Sequence, residues 1–265
     1  MDRQESGRPA ARWNRVRQLW SEGHCTFGAI ATIPSVQTVQ VMARSGLDWI
    51  IIDMEHGPID RNSAHAMIAA TTGTPLVPLV RVAAGSAWLA KAPLDLGAMG
   101  ICFPMTTRRE DAEAAVRAVR YPPEGERHWG PFYAPLRWDV PMREYLDHAN
   151  EEILAVGTIE HIDALETVAE VVATAGLDLA FIGPGDLATS MGLKGRAEDP
   201  SVQAAIARLE SIILPSPVRL GGVAHTPEQA RAMIARGYKA LVLGFDWSLL
   251  QRGIAAALSD IRQGR

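Results

Sequence analysis

The chain has 265 residues, 48% of them hydrophobic, and a formal net charge of −4, so it is long enough to form an α/β barrel of roughly 250 residues. The acidic balance and the scattered Lys and Arg residues give no broad attraction for phosphate backbones or anionic lipid, which excludes nucleic acid and membrane surfaces as expected partners. Its two cysteines, Cys25 and Cys102, form no CxxC pair, so neither a disulfide framework nor a thiolate metal site is expected.

The amino-terminal stretch 1–20 is charged and helical in pattern, and it lacks the apolar segment of a secretory signal. No later apolar run approaches the ~20 residues that are needed to span a bilayer. These features, with the isolated cysteines, predict a soluble cytoplasmic protein. Because no low-complexity linker divides the chain, we predict one domain over residues 1–265.

Short apolar runs rich in β-branched residues alternate with longer amphipathic segments, a pattern typical of βα units. The predicted strands are 27–32, 49–53, 76–81, 100–103, 154–159, 179–182, 220–223 and 240–243. The predicted helices are 35–45, 60–71, 86–96, 108–120, 162–174, 199–213, 226–236 and 246–261. Eight such units predict a parallel sheet closed into a barrel. The longest irregular stretch, 121–150, is rich in Pro, Gly and aromatic residues, and we expect a lid or an interface there.

Ionisable residues follow several of these strands. Asp53 and His56 follow the second strand, Arg81 ends the third, Glu160 follows the fifth, and Asp186 lies in the predicted loop after the sixth. In a parallel barrel the carboxyl ends of the strands meet on the face that carries the chemistry. We therefore expect these five side chains at one rim.

Glu160 and Asp186 follow consecutive strands, so their carboxylates should face one small volume. Two anions held close together repel each other, and a divalent cation relieves that repulsion while leaving coordination sites free for water or a chelating substrate. An oxygen-ligated metal site is one interpretation. The alternative is that both acids simply cap the helices that follow them.

His56 can act as a general base because the ordinary pKa of histidine lies near neutrality, or it can be a hydrogen-bonded loop residue. Asp95 can orient that imidazole, or it can be a solvated acid near the end of a helix. Arg81 ends an apolar strand and needs an anionic partner, which favours an anion site. Gly183 and Gly185 allow backbone N–H groups to turn toward an anion at a helix start, although a Gly-Pro-Gly sequence is otherwise only a turn.

Several segments together resemble the HpcH/HpaI aldolases, metal-dependent class II enzymes that act on 2-keto acids. The segments are IDMEHGPID, PLVRV, LDLGAMGICFPM, VRAVRYPPEGERHWGP, TIE and FIGPGDLATSMG. They follow the order and closely match the spacing of the family, and the resemblance runs from about residue 27 to residue 250. It implies a (β/α)8 TIM barrel of the phosphoenolpyruvate/pyruvate type. It also implies a homo-oligomer, commonly a hexamer that is a trimer of dimers, in which the last helix is exchanged between subunits.

The same resemblance implies roles for single residues. Glu160 and Asp186 match the two metal ligands of the family, for Mg²⁺, Mn²⁺ or Co²⁺, and His56 matches its base, with Asp95 as the partner of that base. Arg81 matches the arginine that contacts the keto or enolate oxygen.

The residues around these groups also match positions of the family. Gly183, Pro184 and Gly185 resemble the cradle for the substrate carboxylate, and Asp53 is similar to a supporting acid near the site. Thr158 departs from the family pattern, because some members carry Gln at this position. This difference leaves open which keto acid is the preferred donor substrate. The aromatic segment 130–138 also departs from the family pattern, and this leaves open which aldehyde is the acceptor substrate.

The implied function is reversible cleavage of a 4-hydroxy-2-keto acid to pyruvate, or hydroxypyruvate, and an aldehyde through a metal-stabilised enolate. The lysines Lys91, Lys194 and Lys239 lie away from the predicted carboxyl ends of the strands, which disfavours a Schiff base. Three alternatives stay open: an oxaloacetate decarboxylase or macrophomate-synthase-like enzyme, a CoA-thioester lyase, and a keto-acid-binding protein without catalysis.

Overall fold

A computed structural model describes residues 13–263. Eight parallel strands follow one another around a closed barrel, and the last strand is hydrogen-bonded to the first. The strands are β1 Thr26–Ala31, β2 Trp49–Asp53, β3 Val77–Arg81, β4 Gly100–Phe103, β5 Leu154–Ile159, β6 Leu179–Ile182, β7 Arg219–Val223 and β8 Ala240–Phe245. Each predicted strand is present within two residues of its predicted bounds. The predicted (β/α)8 barrel is therefore confirmed.

Helices connect the strands on the outside of the barrel. They are α1 Arg15–Ser21, α2 Val36–Met42, α3 Arg61–Ala69, α4 Ala87–Asp95, α5 Arg109–Val119, α6 Ala134–Trp138, α7 Met142–Glu152, α8 Ala164–Val172, α9 Pro184–Ser190, α10 Pro200–Ile213, α11 Pro227–Arg236 and α12 Asp246–Gln263. All eight predicted helices are present. Three more helices, α6, α7 and α9, occupy segments that we expected to be irregular.

The expectation of an irregular stretch over 121–150 was wrong for its second half, which contains α6 and most of α7. In α7, Tyr145, Ala149 and Glu152 are the buried positions, at the i, i+4, i+7 spacing of an amphipathic helix. The prolines and aromatic residues that precede α7 indicated an irregular segment, so this helical spacing was not recognised in the sequence. The helix begins directly after Pro141, which is its N-cap.

The strands are continuous apolar runs in the sequence because the barrel interior and the surrounding helices cover both of their faces. All residues of β2, β3, β4, β5 and β6 are buried. In a parallel barrel one face of each strand fills the interior and the other face packs against the surrounding helices. Polar side chains are therefore concentrated where the strands end.

The amino-terminal end of the barrel is closed by an ion cluster around Asp178. Both carboxylate oxygens of Asp178 lie 2.8 Å from the Arg17 guanidinium, and Arg120 Nη2 lies 3.3 Å from Oδ2. Arg17 and Arg120 also donate to the carbonyl of Ile153, which precedes β5. This cluster holds the strand starts together at the end of the barrel opposite the predicted site.

Residues 1–12 and 264–265 lie outside the described residues. This applies to both ends of the predicted domain 1–265 and to most of the predicted amino-terminal helical pattern, of which α1 is the described part. Within residues 13–263, none of the helices combines the length and the apolar character that crossing a bilayer requires.

Candidate active site

Asp53 and Arg81 are direct neighbours at the carboxyl ends of β2 and β3. Arg81 donates from Nε to Asp53 Oδ1 at 2.9 Å and from Nη2 to Oδ2 at 2.7 Å. Burial raises the pKa of Asp53, but the hydrogen bonds and the charge of Arg81 outweigh it and hold the pKa below its usual value. The anionic partner that we expected for Arg81 is thus supplied by the chain itself.

Glu55 and His56 lie in the turn after β2, beside this pair. The backbone N–H groups of both residues donate to Asp53 Oδ1, at 3.1 and 3.3 Å. Glu55 Oε2 lies 3.2 Å from Arg81 Nε and 3.6 Å from His56 Nε2. The His56 side chain is 59% exposed, so the imidazole faces the open end of the barrel. Asp53 therefore fixes the turn that presents a carboxylate and an imidazole together.

Glu160 follows β5 and is buried. Its Oε1 accepts the backbone N–H of Met105 at 2.8 Å. Burial is the largest effect on the Glu160 carboxyl, and together with the negative charges of Asp186 and Glu55 it raises the pKa to about 7, against the lowering effect of the Met105 hydrogen bond. A buried carboxyl with two acids nearby is a group whose ionised form a cation would stabilise.

Met105 adopts the left-handed backbone region, with φ of 53°. This conformation is uncommon for a residue with a side chain and costs on the order of 1 kcal/mol or more. It lies in the turn after β4, where the Met105 N–H reaches Glu160. Backbone strain of this kind is concentrated at functional sites, where the surrounding structure maintains it.

The Gly-Pro-Gly segment opens a helix and is not a loop. Gly183 is the N-cap of α9 and Pro184 its first residue, so Asp186 lies in the first turn and is exposed. The Gly183 N–H donates to Ile159 O, and proline has no N–H. Gly185 is therefore the member of the predicted cradle that offers an N–H from a first helical turn.

Gly183 also makes room for Glu160. A Cβ atom at Gly183 would lie 2.9 Å from Glu160 Cβ and 2.9 Å from Glu160 Oε2, and 3.5 Å from Thr158 Cγ2. Real side chains do not approach so closely without displacing a neighbour. The glycine thus allows α9 to start directly against the Glu160 carboxylate and brings Thr158, at the end of β5, close to the same space.

The carboxylates of Glu160 and Asp186 fit a hard divalent cation. Within residues 13–263, no group of three or more His, Cys, Asp or Glu side chains is arranged to hold a metal ion. The Glu160 and Asp186 carboxylates do interact electrostatically. Two carboxylates with open positions between them are the kind of oxygen site that Mg²⁺ occupies while keeping water or substrate ligands.

Asp95 lies elsewhere, near the end of α4. Its Oδ1 is 3.4 Å from Arg127 Nη2, which also donates to the Tyr145 hydroxyl at 2.8 Å. The Arg127 guanidinium lies 4.4 Å from the centre of the Tyr121 ring. In the part of the chain that the structure describes, no hydrogen bond joins Asp95 to His56. The role of Asp95 as the partner of His56 stays a prediction.

The structure thus brings Asp53, Arg81, His56, Glu160, Asp186 and the Gly183 turn to the carboxyl end of the barrel. Sequence reasoning missed two further groups there, Glu55 and the Met105 backbone. Glu55 lies between Asp53 and His56, two of the predicted site residues, and this position was the signal in the sequence that could have identified it. Nothing in the sequence indicates the backbone conformation of Met105.

Comparison with known proteins decides the family. The family model described as HpcH/HpaI aldolase/citrate lyase matches residues 33–252. The chain belongs to this family. It is thereby a member of a family of aldolases and lyases, and the resemblance noted in the sequence is confirmed.

Individual relatives agree with this assignment. The chain is 34% identical over 252 residues to a hydroxypyruvate/pyruvate aldolase of Pseudomonas aeruginosa, covering 95% of this chain and 94% of the relative. It is 34% identical over 220 residues to a 2-dehydro-3,6-dideoxy-6-sulfogluconate aldolase of Pseudomonas putida, covering 82% and 84%. The crystal structure of an HpcH/HpaI aldolase/citrate lyase family protein from Burkholderia cenocepacia J2315 superimposes with a TM-score of 0.86 at 32% identity, covering 94% and 99%. Aldolase relatives of this kind imply small-molecule substrates.

Proposed function

We propose that this family member is a divalent-metal-dependent aldolase that reversibly cleaves 4-hydroxy-2-keto acids to an aldehyde and pyruvate or hydroxypyruvate. The observation that carries the proposal is Glu160, a buried carboxyl whose pKa is raised to about 7 beside Asp186 at the carboxyl end of the barrel. The names of the hydroxypyruvate/pyruvate aldolase relatives support pyruvate and hydroxypyruvate as the donor.

In this proposal Glu160 and Asp186 hold the cation, which is Mg²⁺, Mn²⁺ or Co²⁺. When bound, the cation supplies Lewis-acid stabilisation of the negative charge that develops on the keto oxygen. Arg81 adds a second stabilising charge. Its Nε and Nη2 atoms are engaged by Asp53, which leaves Nη1 to donate to the keto oxygen.

Proton transfer is assigned to His56, whose exposed imidazole lies 3.6 Å from Glu55 Oε2, the same oxygen that lies 3.2 Å from Arg81 Nε. It takes a proton from C3 of the donor when the enolate forms and returns it when the keto acid is released. The Gly185 N–H in the first turn of α9, with Pro184 fixing the start of that helix, binds the substrate carboxylate. Thr158 and Gly183 border this space and contribute to the choice of donor.

Exchange of the pyruvate methyl protons in D₂O tests this half of the reaction without knowledge of the aldehyde. Proton NMR would follow the exchange on chelator-treated protein, with and without added Mg²⁺. We expect exchange only with metal, and a rate about 100-fold lower in His56→Ala. His24→Ala is the matched control, because His24 lies just before β1 at the amino-terminal end of the barrel, near Glu22, and it should keep the rate.

Three results would contradict the proposal. Exchange at the full rate after metal removal would exclude the metal-dependent route. Pyruvate binding to the metal-loaded protein without any exchange would favour a binding protein. Release of carbon dioxide from oxaloacetate faster than any aldol cleavage would indicate a decarboxylase in place of an aldolase.

We also propose that the active form is a homo-oligomer in which α12 contacts another subunit. Apolar side chains of α12 recur every three or four residues and are between 41% and 61% exposed in the single chain: Trp247, Leu250, Ile254, Leu258 and Ile261. A continuous apolar stripe on an exposed helix is typical of a surface that another protein covers. The hexamer with exchanged last helices, which the sequence resemblance implied, would cover it.

A further inference from the structure

The Asp246 carboxylate lies where α12 begins, and the proposed function gives it no role. Asp246 is 5% exposed. Its Oδ2 accepts the backbone N–H groups of Thr32 and Ile33, at 2.9 and 2.8 Å. Its Oδ1 accepts the Thr32 hydroxyl and the Trp247 N–H, both at 2.8 Å. A carboxylate is costly to bury unless such contacts replace its hydration. Three of the four donors belong to the turn after β1, so the carboxylate is directed at that turn.

The ladder of the sheet ends before it reaches this part of the rim. The pairing of β1 with β8 extends to Ile30 and Phe245, and its register shifts between Gly28 and Ile30. Beyond this pair, the side chain of Asp246 connects the two strand ends through its bonds to the backbone of Thr32. Hydrogen bonds to a carboxylate are stronger than those between neutral groups. Asp246 thereby fixes the turn after β1 relative to β8.

The start of α12 is itself attached to the barrel. Arg252 donates to the carbonyl oxygens of His225 and Leu243, at 2.9 and 2.7 Å. Ser248 Oγ accepts the Phe245 N–H at 3.0 Å. These contacts hold the first turns of α12 on the ends of β7 and β8. The Asp246 carboxylate is therefore presented to the neighbouring turn from a fixed helix start.

On its other side, Thr32 packs against the turn that contains His56. A Cβ atom at Gly57 would lie 3.1 Å from Thr32 O, 3.3 Å from Thr32 Cα and 2.5 Å from Asp53 O. Real side chains do not approach backbone atoms so closely, so the absence of a Cβ at Gly57 allows the two turns to touch. The position of Gly57, and of the adjacent His56, thus depends on the position of Thr32.

We propose that Asp246 is a positioning residue for the site: its carboxylate fixes Thr32, and Thr32 supports the turn of His56 and Gly57. This inference rests on the proposed function, because it concerns the proton transfer assigned to His56. Asp246 acts on the backbone of the turn through Thr32, and it leaves the contacts of the imidazole to other groups. A displacement of about 1 Å in a reacting group can lower a rate about 100-fold, even when the substitution lies away from the chemistry.

The test compares Asp246→Ala with Asp48→Ala, because both variants lose a carboxylate that is bonded to the backbone near β1. Asp48 Oδ2 accepts the Phe27 N–H at 2.9 Å, at the end of β1 opposite to Thr32. Asp48→Ala therefore shows what the loss of such a bond does to stability away from the site. Urea denaturation of the metal-loaded protein gives the folded fraction, and exchange rates are compared per folded molecule.

We expect Asp246→Ala to lower the exchange rate of the pyruvate methyl protons about tenfold at saturating pyruvate. The Mg²⁺ affinity should be unchanged, because the proposed ligands Glu160 and Asp186 follow β5 and β6. Asp48→Ala should keep the rate. Asp246→Asn keeps one oxygen that can accept the N–H groups of Thr32, but without the charge, so its rate should be intermediate. Because Asn keeps the size of the side chain, this variant provides the test if the Ala variant does not fold.

A second measurement is independent of catalysis. In protein labelled with ¹⁵N-glycine, the backbone signal of Gly57 is identified by its loss in Gly57→Ala. We expect this signal to move in Asp246→Ala and Asp246→Asn and to stay in place in Asp48→Ala. The signal of Gly183, at the metal site, should stay in place in all three variants. A general loss of stability would not move the Gly57 signal selectively.

Three results would overturn the inference. They are a rate per folded molecule in Asp246→Ala equal to that of wild type, an equal loss of rate in Asp48→Ala, and a Gly57 signal that does not move in Asp246→Ala. If wild type exchanges no pyruvate protons, the proposed function fails. The Gly57 signal then decides by itself whether Asp246 holds the turn.

Discussion

Asp53 and Arg81 form a bidentate ion pair between adjacent strands, with N–O distances of 2.9 and 2.7 Å. Asp53→Asn should remove the carboxylate that makes both hydrogen-bonded ion contacts with Arg81 and lower the free energy of unfolding by about 3 kcal/mol, because it leaves the buried guanidinium with only the ion pair to Glu55. Urea denaturation measures this difference. Asp60→Asn is the matched control, since Asp60 caps α3 at the surface and asparagine is an equally good N-cap.

The same pair gives the stability a defined pH dependence. Because Arg81 holds the pKa of Asp53 below its usual value, the stabilisation is present above the unfolded-state pKa of about 3.9 and is lost as pH falls through the folded-state value. The stability difference between wild type and Asp53→Asn should therefore shrink at acid pH. A difference that is equal at pH 7 and pH 3 would contradict this account.

Gly183→Ala should weaken metal binding while the barrel stays folded. Its Cβ would lie 2.9 Å from Glu160 Oε2, so the carboxylate must move, and displaced groups at metal sites typically cost on the order of tenfold in affinity. Isothermal titration with Mg²⁺ measures the change. Gly185→Ala is the control for this affinity, because a Cβ at Gly185 meets no atom within 4 Å.

The raised pKa of Glu160 predicts how pH changes the stability of the metal-free protein. Its pKa is raised to about 7 in the folded state, above the unfolded value of about 4.3, so stability from this group falls as pH rises between these values. At pH 8 without metal, Glu160→Gln should melt higher than wild type, by roughly 3–6 °C. At pH 4, where both states of wild type bind the proton, this advantage should disappear.

Saturating Mg²⁺ should reverse this order at pH 8. A cation at 100 times its Kd stabilises the folded state by about 2.7 kcal/mol, and Glu160→Gln should not gain this because it lacks the ligand charge. Thermal unfolding with and without Mg²⁺ measures both effects. Equal stabilisation of wild type and Glu160→Gln by Mg²⁺ would place the cation elsewhere.

The sequence predicts the strands well because their pattern is set by burial alone. A parallel strand that is covered on both faces must be apolar along its length, as in β2 and β5. The positions of Asp53, Arg81 and Glu160 follow directly, because they are fixed by where those strands end.

Groups that depend on a turn or on a distant contact are not predictable in this way. Asp95 pairs with Arg127, 32 positions away, and this choice depends on how the segment after α5 folds back. Met105 reaches Glu160 only through a left-handed backbone turn, which side-chain composition does not indicate. The short helix α6 is stabilised by burial of Ala134, Pro135 and Trp138, and not by an evident helical periodicity.

Helix α12 provides a test of the proposed oligomer. Leu250 and Ile254 are 60% and 53% exposed and lie one turn apart on its apolar stripe. Replacing both by Glu should dissociate the assembly, because two carboxylates buried in an apolar contact cost several kcal/mol. Light scattering after size exclusion should show a mass falling toward the 28.7 kDa of one chain. Gln251→Glu adds a charge at an exposed polar position of the same helix and should leave the mass unchanged. A wild-type protein that is monomeric and exchanges pyruvate protons at full rate would show that α12 needs no partner for the site to work.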